Sequence, residues 1–214
     1  MADHAVIGYV TGGWNRNEFT TSLVAITRKS RTVIDDVIAF VSGPNISRGR
    51  NMVVAGFLED HGAPWLFMCD TDMRLPPDTV DRLVQAGDPQ DRPVVGGLCF
   101  TENPGGDGPL PTLYELVEDA GGQPAFARHE RWPDDGLVRV TATGAACLLI
   151  HRDALEHVGK VSGCPAAPWF RESVLGGSLV GEDLTFCLRL GAAGIPVFVH
   201  TGVRAGHMKT TMLI

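Results

Sequence analysis

No apolar run in this chain approaches the roughly 20 residues that a membrane-spanning helix needs, which argues against an integral membrane protein. The amino terminus, MADHAVIGYV, has no basic stretch ahead of its apolar residues. It therefore reads as a first strand rather than as a secretion signal. The five cysteines, Cys69, Cys99, Cys147, Cys164 and Cys187, are odd in number and include no C-x-x-C pair. Reduced, buried thiols in a cytosolic protein are the simplest account, and the expected location is the cytoplasm. Excess positive charge is also missing: 18 Lys and Arg against 25 Asp and Glu leave a net charge of −7 and a pI near 5.4. Nothing global draws the chain to nucleic acid or anionic membrane. A local basic patch remains open, since Arg28, Lys29, Arg31, Arg48 and Arg50 all fall early. Glu102 to Asp135 shows the opposite bias, eight acids against two arginines, as a solvated insertion would. No internal repeat is evident.

What is present fits one globular domain spanning residues 1–214, with 44% hydrophobic and 20% charged residues. AVIGYVT (5–11) reads as a buried strand closed by Gly12-Gly13, and residues 16–30 as a helix. DVIAFV (36–41) is a second strand. A helix follows, capped by Ser47, with Val53, Val54, Phe57 and Leu58 as its buried stripe and Gly62 as its end. WLFMC is a third strand, Pro76-Pro77 opens another helix, and PVVGGLC (93–99) is a fourth strand. Such alternation predicts an α/β fold with a mainly parallel central sheet flanked by helices. Residues 101–136 break the pattern with turn-rich sequence; a small β excursion is expected there, with a short strand at 112–116. LVRVTATGAACLLIHRDAL resumes with a strand, a glycine and an apolar run entering a helix. In the last third, Leu184, Cys187, Leu188 and Gly191 are expected on one helical face, Gly194 stops the helix, and IPVFVH is the final strand.

The chemistry begins at PWLFMCDTDMRLPPDT, where a strongly apolar strand ends in Asp70 and Asp72. Residues i and i+2 of an extended chain point the same way, so both carboxylates would face one spot. A divalent cation such as Mg²⁺ or Mn²⁺ would remove their repulsion; solvation of a loop is the plain alternative. Glu182 and Asp183 stand at a helix start, where negative charge is favourable in itself and where one carboxylate can act as a general base. His207 follows the last strand and offers an imidazole as a third metal ligand, or is a surface residue. Arg48, Arg50 and Asn51, in SRGRN, fall at a helix N-terminus suited to phosphate or to a solvated basic turn. Thr11-Gly12-Gly13 would let a planar ring approach the backbone closely. His200 reads as structural.

In their order along the chain, the β-α-β start, the strand into Asp70-Thr71-Asp72, TGAACLLIHRDALEHVG and GEDLTFCLRLGAAGIPVFVHTGVRAGH resemble GT-A glycosyltransferases. The likeness is to the small family-2-like enzymes of bacteria and their tailed phages, over roughly residues 5–208. It implies the nucleotide-diphospho-sugar transferase fold, a nucleotide-sugar donor (foremost a UDP-sugar) and Mn²⁺ or Mg²⁺ bridging its diphosphate. It also implies a site in the cytoplasm of a bacterium or phage-infected host. On the matching positions, Asp72 would be the main metal ligand, Asp70 would contact ribose or metal-bound water, and His207 would complete the metal site. Asp183, or failing it Glu182, would deprotonate the acceptor hydroxyl, while Thr11, Gly12 and Arg50 would help hold the nucleotide. Gly144 would leave room near the donor sugar, and Trp169-Phe170 would either stack on a sugar or acceptor face or serve core or loop packing. Residues 101–136 would form the acceptor side and 205–214 a tail near the donor. The acceptor stays open between modified DNA, a protein, a glycan and a small molecule, as do oligomeric state and stereochemistry. The chain offers no membrane anchor and no obvious acceptor domain. Two rivals stand. A nucleotidyltransferase would want a lysine in TGGWNRNEF, which has none; a non-catalytic sugar-nucleotide or glycan-binding module would not need Glu182-Asp183.

Overall fold

The computed structural model describes residues 4–30, 33–103, 105–106 and 108–209. Arg31 of the early basic group and the tail beyond Lys209 lie outside the described residues. In chain order the elements are β1 (Ala5–Thr11), α1 (Asn17–Lys29), β2 (Ile34–Val41), α2 (Ile46–Asp60), β3 (Trp65–Asp70), β4 (Met73–Arg74) and α3 (Thr79–Ala86). Then come β5 (Val94–Leu98), β6 (Phe100–Thr101), β7 (Leu110–Pro111), β8 (Tyr114–Glu118), β9 (Pro124–Arg128), β10 (Leu137–Val140) and β11 (Cys147–His151). The last are α4 (Arg152–Val161), β12 (Ser173–Leu175), β13 (Ser178–Val180), α5 (Glu182–Ala192), β14 (Val197–Arg204) and β15 (Gly206–His207).

The central sheet has the order β10-β14-β5-β11-β3-β1-β2. β2, β1 and β3 pair in parallel, as do β5 and β14; β11 and β10 run the other way. The mainly parallel α/β sheet is therefore as expected. β3 shows why both faces must be covered. Leu66 and Met68 pack with Val53, Val54 and Phe57 of α2 and with Leu155, Phe186 and Leu190 of α4 and α5. Trp65, Phe67 and Cys69 point the opposite way, to Phe19 and Ile26 of α1 and Val80 and Leu83 of α3. The period-2 alternation of a strand thus splits one apolar run between two cores.

Two glycines bring α2 unusually close to β1. A Cβ on Gly8 would lie 2.3 Å from Val53 Cγ1, and one on Gly49 would lie 2.5 Å from Val10 Cγ1. The close approach sets Arg50, the next residue, over the ends of the parallel strands.

Some local expectations change. Asn45, not Ser47, caps α2, its side chain accepting the Arg48 N–H at 2.9 Å; Asn is as strong a cap as Ser and stands nearer the Gly43-Pro44 turn. α3 starts at Thr79, after a single turn in which the Pro76 carbonyl accepts the Thr79 N–H and hydroxyl. The buried face of α5 is Thr185, Phe186, Cys187 and Leu190, because Phe186 and Leu190, one turn apart, carry the largest apolar groups toward the core. The β excursion is present: β6 pairs with β7, and β8 with β9. Its strand covers 114–118 rather than 112–116. Glu115 bolts it down, accepting from the Thr141 hydroxyl at 2.7 Å and meeting His129 Nε2 at 2.9 Å.

All five cysteines are free. Burial pushes the Cys187 thiol up to about 12 and Cys69 well up, which leaves these two unreactive; Cys164, against expectation, is only partly buried. No described helix is long and apolar enough to cross a membrane.

Candidate active site

In open α/β sheets ligands bind beyond the carboxyl ends of the strands, and the sequence-predicted residues gather there. Asp70 ends β3. Its Oδ1 accepts from Arg50 Nη2 at 2.8 Å, and Arg50 Nη1 donates to Glu182 Oε1 at the start of α5. Arg50 is 3% exposed, and its guanidinium lies 5.8 Å from the Phe170 ring centre. Burial works against its charge, but Asp70, Glu182 and Asp183 more than offset this and raise its pKa. Arg50 is therefore a strut between two carboxylates from opposite ends of the chain rather than an open phosphate contact.

Asp72 goes elsewhere. The strand stops at Asp70 and Thr71-Asp72 form a turn, so the i, i+2 alternation of a strand does not extend to Asp72, and the two carboxylates take different partners. Asp72 instead meets His207, Oδ2 to Nε2, at 3.0 Å. β15 brings the histidine there by pairing antiparallel with β4, His207 opposite Met73. The other ring nitrogen, Nδ1, lies 2.9 Å from the Phe100 carbonyl and donates to it. Burial opposes ionisation of Asp72, yet the His207 hydrogen bond and charge bring its pKa below the ordinary value. The same hydrogen bond, against burial, raises that of His207.

Asp183 is partly buried beside these residues. Its Oδ1 accepts the Leu184 N–H at 2.8 Å, and its Oδ2 would lie 3.4 Å from a Cβ on Gly144, with Thr112 Cγ2 at 4.0 Å. Burial raises its pKa, Arg50 pulls it down, and Glu182 pushes it up again. Glu182 is committed to Arg50, so Asp183 is the member of the pair that the guanidinium does not hold by a hydrogen bond. A carboxylate with a raised pKa can take a proton from a bound hydroxyl.

Thr11 ends β1 with a tight turn: its Oγ1 accepts the Gly13 N–H and donates to the Trp14 carbonyl, both at 3.1 Å. Nothing stands within 4 Å of a Cβ on Gly12. The turn adjoins Asp70-Thr71-Asp72, since the Arg16 N–H reaches the Thr71 carbonyl at 3.3 Å. Arg48 is exposed on α2. Asn51 is buried and spent on structure, accepting the Trp169 and Phe170 N–H groups and donating to the Phe170 and Ser47 carbonyls. Phe170 is fully buried against Phe186 and is not available to stack on a ligand. Trp169 is partly buried, its Nε1 bonded to the Leu155 carbonyl at 2.8 Å. His200 lies within β14, partly buried and 3.6 Å from Asp135, apart from the site residues named above.

Sequence reading missed two groups. Tyr114 lies under the Arg128 guanidinium at 4.5 Å; burial raises its pKa, Arg128 pulls it down, and the Asp183 carboxylate raises it again. Lys209 lies 3.9 Å from Asp72; its spacing of two from His207 was a usable signal.

No family model matches the sequence, and no curated protein matches it. Among solved structures, A197 from STIV superposes on 97% of this chain and 86% of its own, with TM-score 0.60 and 16% identity. GalNAc-T7, solved with UDP, GalNAc and Mn²⁺, superposes on 96% of this chain with TM-score 0.65 and 12% identity. This chain spans 44% of the length of that protein. At these identities the likeness is one of fold: the chain has the mixed α/β fold of GT-A glycosyltransferases.

Proposed function

We propose that this protein is a metal-dependent glycosyltransferase, family-2-like, that moves a sugar from a nucleotide-sugar donor, foremost a UDP-sugar, to an acceptor hydroxyl. The observation that carries the reading is the meeting of Asp72 and His207, 135 residues apart in sequence, at 3.0 Å beside the β3 end.

The donor set fits a divalent ion in part. Among the described residues no group of three His, Cys, Asp or Glu side chains is arranged to hold a metal. Asp72 and His207 would supply two ligands, and the Phe100 carbonyl, by accepting a hydrogen bond from Nδ1–H, leaves Nε2 of the neutral ring as an electron-pair donor. One or two carboxylates with phosphate oxygens and water completing the shell is the usual way Mg²⁺ is held at phosphates; Asp72 would supply the carboxylate and His207 an additional nitrogen ligand. A divalent ion bound there would offset the charge that a leaving nucleoside diphosphate gains.

The chain's own residues do the rest. Arg50 holds Glu182 and Asp70 in place, keeping Glu182 away from the acceptor and leaving Asp70 Oδ2 for ribose or metal-bound water. Asp183, beside Gly144, accepts the acceptor's proton. The open turn at Thr11-Gly12 receives the base.

Calorimetric titration with UDP-, GDP-, dTDP- and CMP-sugars, with Mn²⁺ and again with EDTA, tests the proposal. One donor is expected to bind, dependent on metal, with binding lost in Asp72→Ala and kept in Asp183→Asn. If folded, metal-supplied protein binds none of them, the donor drops out of the account. If Asp183→Asn keeps turnover, Asp183 is not the base; if the wild type binds a donor but never turns it over, the binding-module reading replaces the enzyme.

A further inference from the structure

Arg48 belongs to the basic turn SRGRN, yet it takes no part in the site described above. At 3.6 residues per turn, positions 48, 51, 52 and 55 of α2 share one face and Arg50 falls on another. That face and the loop of residues 165–172 border an open recess of about 1040 Å³. Its walls are mainly apolar, with Ile46, Met52 and Ala55 on the helix side and Pro165, Pro168 and Trp169 on the loop side. Ile46 and Met52 are 38% and 36% exposed. The loop is held from behind. Asn51 bonds the Trp169 and Phe170 N–H groups and the Phe170 carbonyl, and Arg189 donates to the Pro168 and Trp169 carbonyls. The backbone groups of 169 and 170 are thus spent, and a bound peptide would find no ladder there.

The charges around the recess do not balance. Arg48, Arg171 and Glu172 line it, and Arg189 stands behind the loop. Arg171 meets the Ser162 carbonyl at 3.5 Å and the Cys164 thiol. Among the described residues none of these three arginines, nor Glu172, forms a salt bridge, and α2 has no acid in its first turn. The crowding is felt within the group, since burial and then Arg171 lower the pKa of Arg189.

We propose that this recess is a second ligand site that takes a small anionic amphiphile, its apolar chain lying along Ile46, Met52 and Trp169 and its carboxylate or phosphate group meeting Arg48 and Arg171. An apolar hollow with a few convergent polar groups is the usual make-up of a small-molecule site. A purely ionic ligand would leave the apolar walls wet, and a neutral one would leave the guanidiniums without a counter-charge. Guanidinium forks match the planar oxygens of carboxylate and phosphate. The site does not depend on the donor reading above.

The test is calorimetric titration of decanoate, decyl phosphate and decyltrimethylammonium, each below its micellar concentration, with circular dichroism to confirm that every variant folds. Wild type is expected to bind one or both anions at a single site, the tighter one naming the head group, and not to bind the cation. Arg48→Gln should weaken the anions by about tenfold. Glu172→Gln should tighten them by about twofold to fivefold, and Met52→Asp, on an exposed face of α2, should abolish binding. Asp72→Ala should bind them as wild type does. Equal binding of the cation would mean adsorption to apolar surface alone and overturn the proposal, as would failure of both anions to bind folded wild type. Loss of binding in Asp72→Ala but not in Arg48→Gln would place the ligand at the β3 end and overturn it too.

Discussion

Replacing Arg50 with methionine would remove the guanidinium that Asp70 and Glu182 share. Methionine fills much of the same space beside Phe170, so the cavity term is small and the cost comes from charge. The Arg50 side chain is 4% exposed, against 26% for Asp70 and 14% for Glu182. Removing one partner of a buried ion pair costs about 3–5 kcal/mol. The partial access of Asp70 to water puts the expectation near the low end, about 3 kcal/mol. For a domain of this size that lowers the melting temperature by about 6–12 °C, and urea unfolding would measure it directly. The loss also has a pH signature. Arg50 holds the Asp183 pKa down against burial, so without Arg50 the folded state keeps the Asp183 proton to higher pH than the unfolded chain does. Stability then falls as pH rises through that folded pKa, and the deficit must be larger at pH 8 than at pH 5. Arg50→Lys keeps one charge but cannot span two carboxylates, and should fall between. Adding Glu182→Gln to Arg50→Met should recover part of the loss. A deficit below about 1 kcal/mol at pH 8, or one that does not change with pH, would refute the buried strut.

Asp183→Asn should cut turnover by about 10²–10⁴-fold, read as nucleotide release from the donor. It should also raise the melting temperature: Asp183's folded pKa is raised, so the wild type loses stability as pH passes through it, and the two proteins should converge near pH 4. In metal-free protein, Asp72 is lowered and His207 raised, so their pair stabilises most between about pH 4 and 6.5 and fades on both sides. His207→Ala should therefore cost more at pH 6 than at pH 8.5, and less than about 1 kcal/mol because water screens a half-exposed pair; thermal melts in EDTA decide. Gly8→Ala puts a methyl 2.3 Å from Val53 Cγ1 and should cost about 1–3 kcal/mol in urea unfolding. Gly144→Ala meets only ordinary contacts, 3.4 Å to Asp183 Oδ2 and 4.0 Å to Thr112; it should melt like wild type while losing turnover.

The elements were legible where periodicity is local. WLFMC reads as a buried strand because five apolar residues in succession need a covered sheet, and the stripe Val53, Val54 and Phe57 reads as one helix face. Direction was not legible. β11 lies antiparallel between β3 and β5, and nothing in CLLIH distinguishes that from a parallel strand. The cap of α2 and the start of α3 were missed by two or three residues, because competing caps and a preliminary turn differ by little free energy.

The site divides along the same line. Asp70, Asp72, Glu182 and Asp183 can be picked out as carboxylates at element ends, but which of them are neutralised depends on a side chain that precedes all four in sequence. Arg50 reaches Asp70 across 20 residues and Glu182 across 132; no spacing rule connects them. The turn at Thr71-Asp72 then separates Asp72 from Asp70 and hands it to His207. Two carboxylates are thus tied to one buried cation; of the two that Arg50 does not bind, Asp72 meets a histidine with a lysine beside it, and Asp183 lies against Gly144. That division is what makes Asp72 the proposed metal ligand and Asp183 the proposed base. It follows from where α2 rests on β1, and so from the missing side chains of Gly8 and Gly49.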